Sequence, residues 1–505
     1  MKPLFDRVIG VLGSRTFFYG VLVFFALESL WIACSAAYPM AFDEDFHLGI
    51  IKIYAQHWLP FLSSQPSGAD AYGAVARDPS YLYHYLMSFP YRLIAAITAN
   101  TTAQIIALRV LNVAMLTTAL PLFRRVLQAV RISPALTNVS LLIFALIPIT
   151  PQLTGQINYD NLFIPLVAVT CLLMFRFMER LRLRQIDLGA LLAGLSVCLL
   201  TSLVKYAFLP MLGGIVVWTL VAIGWQFRSH FRALWPAIAA GWRALRRPAQ
   251  IGLVTLAIVS AGLFTQRLGV NMLAHKTPVP SCDKVLSTDE CSAYGPWYRN
   301  YLLEQDKDDD AFSHNRLTYT GVWLYWLWYR LFFAINGPGR GFTNYPPLTF
   351  PSHTAVVLTL AGLAAVLFYA RVLWRNQRLL FLLFISLCYL VALWSENFSE
   401  YQDTGQPVAV NGRYLLPVLL PLAAVMGYAF SLALARWPRT KVLMTGLVLL
   451  LFLQGGGVMT FILRSDASWD WSNSTVVHAN NAARRVLSPM VIEGSKYYDA
   501  DGRWY

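Results

Sequence analysis

The stretch "FDEDFH", residues 42–47, sets Asp43, Glu44 and Asp45 in a row and His47 one residue further on. Asp43 and His47 are four positions apart, a spacing that on a helix brings carboxylate and imidazole to one face. There they can hydrogen-bond, hold a metal or share a proton. A carboxylate at a membrane edge loses part of its hydration, which suits it to accept a proton from a substrate hydroxyl. "RDPSYLYHYL", residues 77–86, adds Asp78 and His84, and "GQINYDNL", residues 155–162, adds Tyr159 and Asp160. Capping by Asp160 or Asn161 would explain part of the second motif without any chemistry.

Two cations fall among these acids. Lys205 in "SLVKYAF" and Arg413 in "NGRYLLP" each sit at the end of an apolar run, where snorkelling to the interface accounts for either one alone. Both nevertheless come out on the side that carries the acids, which points to an anionic ligand. Arg340 in the glycine-rich turn "INGPGRGF", residues 335–342, is a weaker candidate for the same role.

These residues must be held by membrane helices. The chain has 505 residues, of which 57% are hydrophobic and 13% charged, and its apolar runs recur at about 20 residues, one bilayer thickness. The runs are continuous rather than alternating, so they read as helices and not as barrel strands. Eleven spans are predicted, at residues 16–38, 104–122, 134–153, 161–177, 187–204, 207–226, 250–271, 354–373, 379–394, 414–435 and 442–463. The first reads as an uncleaved anchor. The aromatic segment 318–338 could be interfacial, re-entrant or spanning.

The net charge of +14 comes from short Lys/Arg clusters between runs, which is how positive-inside topology is written rather than a nucleic-acid footprint. Those clusters fall on alternate loops and predict a cytoplasmic N-terminus. The first loop (39–103), a large loop (272–353) and the tail (464–505) then all lie outside, on a single membrane domain covering 1–505. The first loop should open with an amphipathic helix on the membrane surface. Cys282 and Cys291, eight residues between them in that outer large loop, are expected to form a disulfide.

An FDE motif with a nearby His after the first span, "PSYLYHYL" before the second and "GRYLLP" before a late one together resemble the GT-C superfamily of integral-membrane glycosyltransferases. "FDEDFH" is similar to the FDE-x-H of protein O-mannosyltransferases with one extra residue. It is closer still to the DE-x-x-H of a bacterial subgroup, which also shows GRY-x-x-P, here Gly412, Arg413, Tyr414 and Pro417. The family's usual Pro-Pro pair is Pro79-Ser80 in this chain.

The resemblance implies an all-α, GT-C-like bundle in a bacterial inner membrane with its active site facing the exterior. It also implies a sugar donor on a polyprenyl phosphate or diphosphate, a glycan, lipid or protein acceptor, and a catalytic first-loop Asp. On that reading Asp43, or else Asp45, takes the acceptor's proton, and Glu44 orients substrate, metal or a neighbouring cation. Lys205, Arg413 and Arg340 neutralise the departing phosphate, and Asp78, His47, His84, Tyr159, Asp160 and Tyr414 line the substrate site. No nucleotide fold is needed, because the sugar–phosphate bond carries the energy. A divalent cation on Asp43 and His47 remains open. The rival readings are a lipid-linked glycan polymerase or ligase, and a transporter. The latter would line a midplane path with charge, yet Glu28 and Arg109 are the main charges inside the runs.

Overall fold

The computed structural model describes residues 2–41, 43–307, 315–332, 349–455, 461–463, 465, 467–487 and 489. Phe42, the turn holding Arg340, and most of the tail beyond residue 487 lie outside the described residues. The described part is helical, its one sheet-like feature an isolated antiparallel bridge between Ala36 and Asp470.

Among the described residues, seven helices are long and apolar enough to cross a bilayer: Arg15–Ser35, Thr101–Ala129, Asp160–Arg182, Tyr206–Phe227, Arg247–His275, Gln377–Thr404 and Gly412–Ala433. Pro134–Leu146, Leu188–Val204 and Val356–Phe368 are apolar but shorter, and Pro438–Gly455 falls on the last predicted run. Large apolar side chains on these helices face outward, among them Leu220, Val221 and Ile258. Apolar surface on that scale belongs against lipid, so the chain is a multi-pass membrane protein. The aromatic segment forms a helix over Arg316–Phe332; residues 333–338 lie outside the described part.

Local chemistry sets the helix starts. The first spanning helix begins where Ser14 accepts the Phe17 N–H at 3.0 Å, and the next where Asn100 accepts the Ala103 N–H at 3.0 Å. The two ends of the bundle differ in kind. One gathers short basic turns and bonds them to each other: Arg378 donates to Ala129 O and Glu179, and Arg182 to Gln377. The opposite end collects the first loop, residues 155–160, the turn at Lys205 and the "GRY" turn. The tail joins it there, with Ala37 N–H bonded to Trp469 O at 2.7 Å and Trp31 to Asn480 at 2.8 Å.

Two arginines fasten the first loop. Arg267, 1% exposed, donates to the carbonyls of Pro60, Val75, Ala76 and Asp78 and stacks on Tyr81. Arg109 holds the loop's beginning, as described below. Cys282 and Cys291 form a disulfide in the large loop, whose helix Gly295–Gln305 starts beside Tyr294, in ring contact with Phe46 at 5.9 Å.

Candidate active site

The first-loop helix runs Glu44–Tyr54, one residue later than a shared Asp43/His47 face requires. Asp43 precedes it with a positive φ of 67°, a backbone state that Asp tolerates better than most residues. Its side chain therefore leaves the helix face. Asp43 Oδ2 accepts a hydrogen bond from Arg413 Nη2 at 2.9 Å, joining residues 370 positions apart. The carboxylate is 47% exposed and the guanidinium 7%. An ion pair with one partner this open contributes about 0.2–1 kcal/mol.

Arg413 is fixed from behind. Its N–H is accepted by Asn411 at 3.0 Å, and Gly412 lies so close to the backbone of Arg330 and Leu331 that any Cβ would collide with it. The glycine of "GRY" thus serves close packing and the arginine reaches the site.

His47 turns to His84 instead of to Asp43, with Nδ1 and Nε2 2.9 Å apart. His84 Nδ1 lies 3.0 Å from Ser80 O, a carbonyl, so that nitrogen carries the proton. His84 Nε2 then accepts from His47 Nδ1–H, and His47 Nε2 keeps a lone pair. Burial pushes both rings down and keeps them neutral: His84 to about 3, and His47 well below 6.5, where His84, Arg413 and Lys205 also repel its proton.

The Pro79-Ser80 departure is built into this arrangement. Ser80 N–H donates to Asp78 Oδ1 at 2.9 Å, which a second proline could not do, and Ser80 Oγ accepts from Tyr206 N–H at 3.0 Å. Asp78 thereby acts as a turn acceptor. Burial raises its carboxyl, while the Ser80 N–H and Arg267 pull it partly back.

Glu44 takes the last of its expected roles, as the partner of a neighbouring cation. It is fully buried, and its four acceptor positions are filled by Arg109 Nε at 2.7 Å, Arg109 Nη2 at 2.7 Å, Met40 N–H at 2.8 Å and Ile157 N–H at 3.1 Å. Arg109, equally buried, also donates to the carbonyls of Ala33, Ala36 and Ala37. Glu44 is therefore a positioning residue, welding the end of the first span, the loop helix, the second span and the 155–159 turn.

Lys205 also pairs within the protein. Its Nζ is 2.7 Å from Asp160 Oδ1, with the two side chains 4% and 1% exposed, and it is boxed by the rings of Tyr159 and Tyr414 at 4.6 and 5.1 Å. Asp160 and Asn161 do not cap by side chain either. Asn158 accepts the Asp160 N–H at 2.9 Å, and Asn161 donates to Leu153 O, Gln156 O and Asn112. Asp45, half-buried, lies on the helix's first turn.

Asp43, His47, His84, Tyr159, Asp160, Lys205, Arg413 and Tyr414 thus converge, with Glu44 behind them and Asp78 at the rim. Arg340 lies outside the described residues. Among the described residues no three His, Cys, Asp or Glu side chains converge as a metal-binding group. Sequence reasoning noted Arg109 only as a charge inside an apolar run and missed its pairing with Glu44, as it missed Arg267, Tyr294 and the Tyr83–Asn112–Asn161 bonds. An Arg within an apolar run was the available signal for both arginines.

No family model matches the sequence, and no curated protein does so. Two solved structures of an Archaeoglobus fulgidus oligosaccharyltransferase resemble the fold. One is tethered to an acceptor peptide containing the NVT sequon, the other, AglB, is in complex with an inhibitory peptide and a dolichol-phosphate. Each aligns at 13% identity and a TM-score of 0.43, covering 95% of this chain and 54% or 55% of the matched one. The chain spans about half the length of the solved structures it matches.

Proposed function

We propose that the chain is an inverting glycosyltransferase that moves a sugar from a polyprenyl phosphate or diphosphate to an acceptor hydroxyl on the outer side of the membrane. The reading is carried by the meeting of Asp43 and Arg413 at 2.9 Å. It sets a half-exposed carboxylate that can take a proton beside a fixed cation that can receive a phosphate. The first-loop and "GRY" motifs, which resemble the GT-C superfamily, supply precisely those two residues and so favour the same reaction over a transporter.

In this reaction the acceptor oxygen forms a bond to the anomeric carbon as the bond from that carbon to the phosphate oxygen breaks. The hydroxyl proton passes to Asp43, and the electron pair of the broken bond leaves on the phosphate, held by Arg413. Attack opposite the leaving group inverts the anomeric centre. The neutral His47, with its Nε2 lone pair, is suited to accept from a sugar hydroxyl, and Tyr159 and Tyr414 offer ring faces to the sugar. Lys205 and Asp160 hold those rings in place.

The test is donor consumption by purified protein given polyprenyl-phosphate sugars, comparing the parent with Asp43→Asn. Asn keeps size and shape but takes no proton, so turnover is expected to fall by about 10²–10⁴-fold. Near-parental turnover in that variant would refute Asp43 as the base.

A further inference from the structure

We propose that the Asp43–Arg413 ion pair is a substrate-operated latch, in which the phosphate of the incoming lipid donor takes Arg413 from Asp43 and only then frees the carboxylate to act as base. The proposal rests on the transferase reading and adds an order of events to it.

The contrast between the site's two ion pairs carries the inference. Lys205 and Asp160 are both enclosed, at 4% and 1% exposure, so their partnership is kept throughout. Arg413 is nearly as enclosed as Lys205, at 7% exposure, but its partner Asp43 is 47% exposed. One pair is permanent and the other is exchangeable.

The two halves of the exchangeable pair also differ in freedom. The Arg413 backbone is pinned by Asn411 and by the close packing of Gly412 against Leu331, and its side chain is 7% exposed, so it has little room to follow a departing carboxylate. Asp43 is the N-cap of the loop helix: its carbonyl accepts the His47 N–H at 3.0 Å, but its backbone is left-handed and its side chain makes no capping bond to the helix, so the carboxylate can turn without breaking the ladder. Glu44, on its far side, is immobile in the Arg109 pair. Any rearrangement therefore falls on Asp43.

A phosphate is the stronger claimant. It offers several oxygens to a guanidinium fork where Asp43 uses one, and it carries as much or more charge. It cannot share Arg413 with Asp43 at close range without like-charge repulsion. While Oδ2 is held by Arg413, that oxygen's contact direction is closed to an acceptor hydroxyl. Donor arrival therefore releases Oδ2 to the acceptor, and without donor that oxygen stays latched to Arg413.

The consequence is unusual for a catalytic group: removing its charge should improve donor binding. The probe is polyprenyl phosphate without sugar, titrated into the full-length protein in nanodiscs, with neutral polyprenol as control. Asp43→Asn, a residue tolerant of positive φ, is expected to bind the phosphate up to about fivefold tighter than the parent. Polyprenol binding should be unchanged, and Arg413→Gln should bind the phosphate more weakly. In the Arg413→Gln background, Asp43→Asn should have no further effect.

Equal or weaker phosphate binding by Asp43→Asn overturns the latch, as does undiminished binding by Arg413→Gln. Tightening that persists in the double variant, or that extends to polyprenol, overturns it too, since neither would run through Arg413. The binding arm contains no sugar, so parental protein that consumes no donor would remove the transferase reading while leaving the latch result to stand or fall separately.

Discussion

Glu44→Gln separates a catalytic acid from a structural one. In the folded protein the Glu44 carboxylate receives two N–H groups of Arg109 and the backbone N–H groups of Met40 and Ile157, all between 2.7 and 3.1 Å and all buried. A glutamine fills the same volume, yet its NH2 must replace one of the two oxygens. Whichever way the amide is turned, a donor then faces an Arg109 N–H and a backbone N–H, and Arg109 loses its whole counter-charge in a site with no exposure. Breaking one side of a buried pair costs about 3–5 kcal/mol. That is a large share of the ~5–15 kcal/mol that holds a folded domain together. The measurement is thermal unfolding of purified variants in a single detergent, followed by tryptophan fluorescence, with donor consumption assayed well below the transition. Glu44→Gln and Arg109→Gln should each unfold far earlier than the parent, and the double variant should lose less than the sum, because neither partner is then an orphaned charge. A Glu44→Gln protein as stable as the parent but without turnover would refute the structural assignment and return Glu44 to the chemistry.

Lys205→Met should resemble Glu44→Gln rather than Arg413→Gln. It leaves Asp160 charged and buried and lowers stability by a few kcal/mol, while the affinity of folded protein for polyprenyl phosphate stays close to parental; a large selective loss of that affinity would place Lys205 on the donor. The histidines predict an acid sensitivity. Folding holds His84 at about 3 against an ordinary 6.5, so between those values the unfolded chain binds a proton that the folded one does not. Stability then falls as pH drops below 6.5, by about 1.4 kcal/mol per pH unit for this ring. Comparing unfolding at pH 7.5 and 5, the parent should lose more than His84→Gln, and equal losses in the two proteins would refute the buried neutral pair.

Much of this was legible in the sequence, and what was not has a physical cause. Long apolar runs report spans directly, because bilayer thickness fixes their length. The short ones, such as Leu188–Val204, are legible only through the charge alternation around them. Asp43 and Arg413 stood out singly, each as a charge where apolar or neutral residues would serve. Their pairing across 370 positions is a tertiary fact with no local signal. The expected Asp43/His47 partnership failed for a reason of one residue. Helical spacing requires both positions to be helical, and Asp43 sits at a positive φ just before the helix. The partners of Glu44 and Lys205 were not legible because a sequence displays charge but not burial, and each found its counter-ion on an element far along the chain.

Burial is what sorts otherwise similar residues into different work. Glu44 and Asp43 are adjacent carboxylates, each bound by an arginine from a distant element, Arg109 from within the second span and Arg413 from the start of a late one. Enclosed on every side, Glu44 can gain nothing from solvent or substrate, and its pair can only hold the loop against the bundle. Asp43, turned outward by one backbone angle, keeps an open side, and its pair can be undone by a ligand that binds Arg413 better. The rigid pair is also what makes the labile one useful. With Glu44 clamped by Arg109, the residue before it swings from a fixed point, so a carboxylate released from Arg413 stays within reach of the same few ångströms of substrate. A site that must hold a base in place and also release it on cue needs both kinds of pair, and the "DE" dipeptide places them side by side.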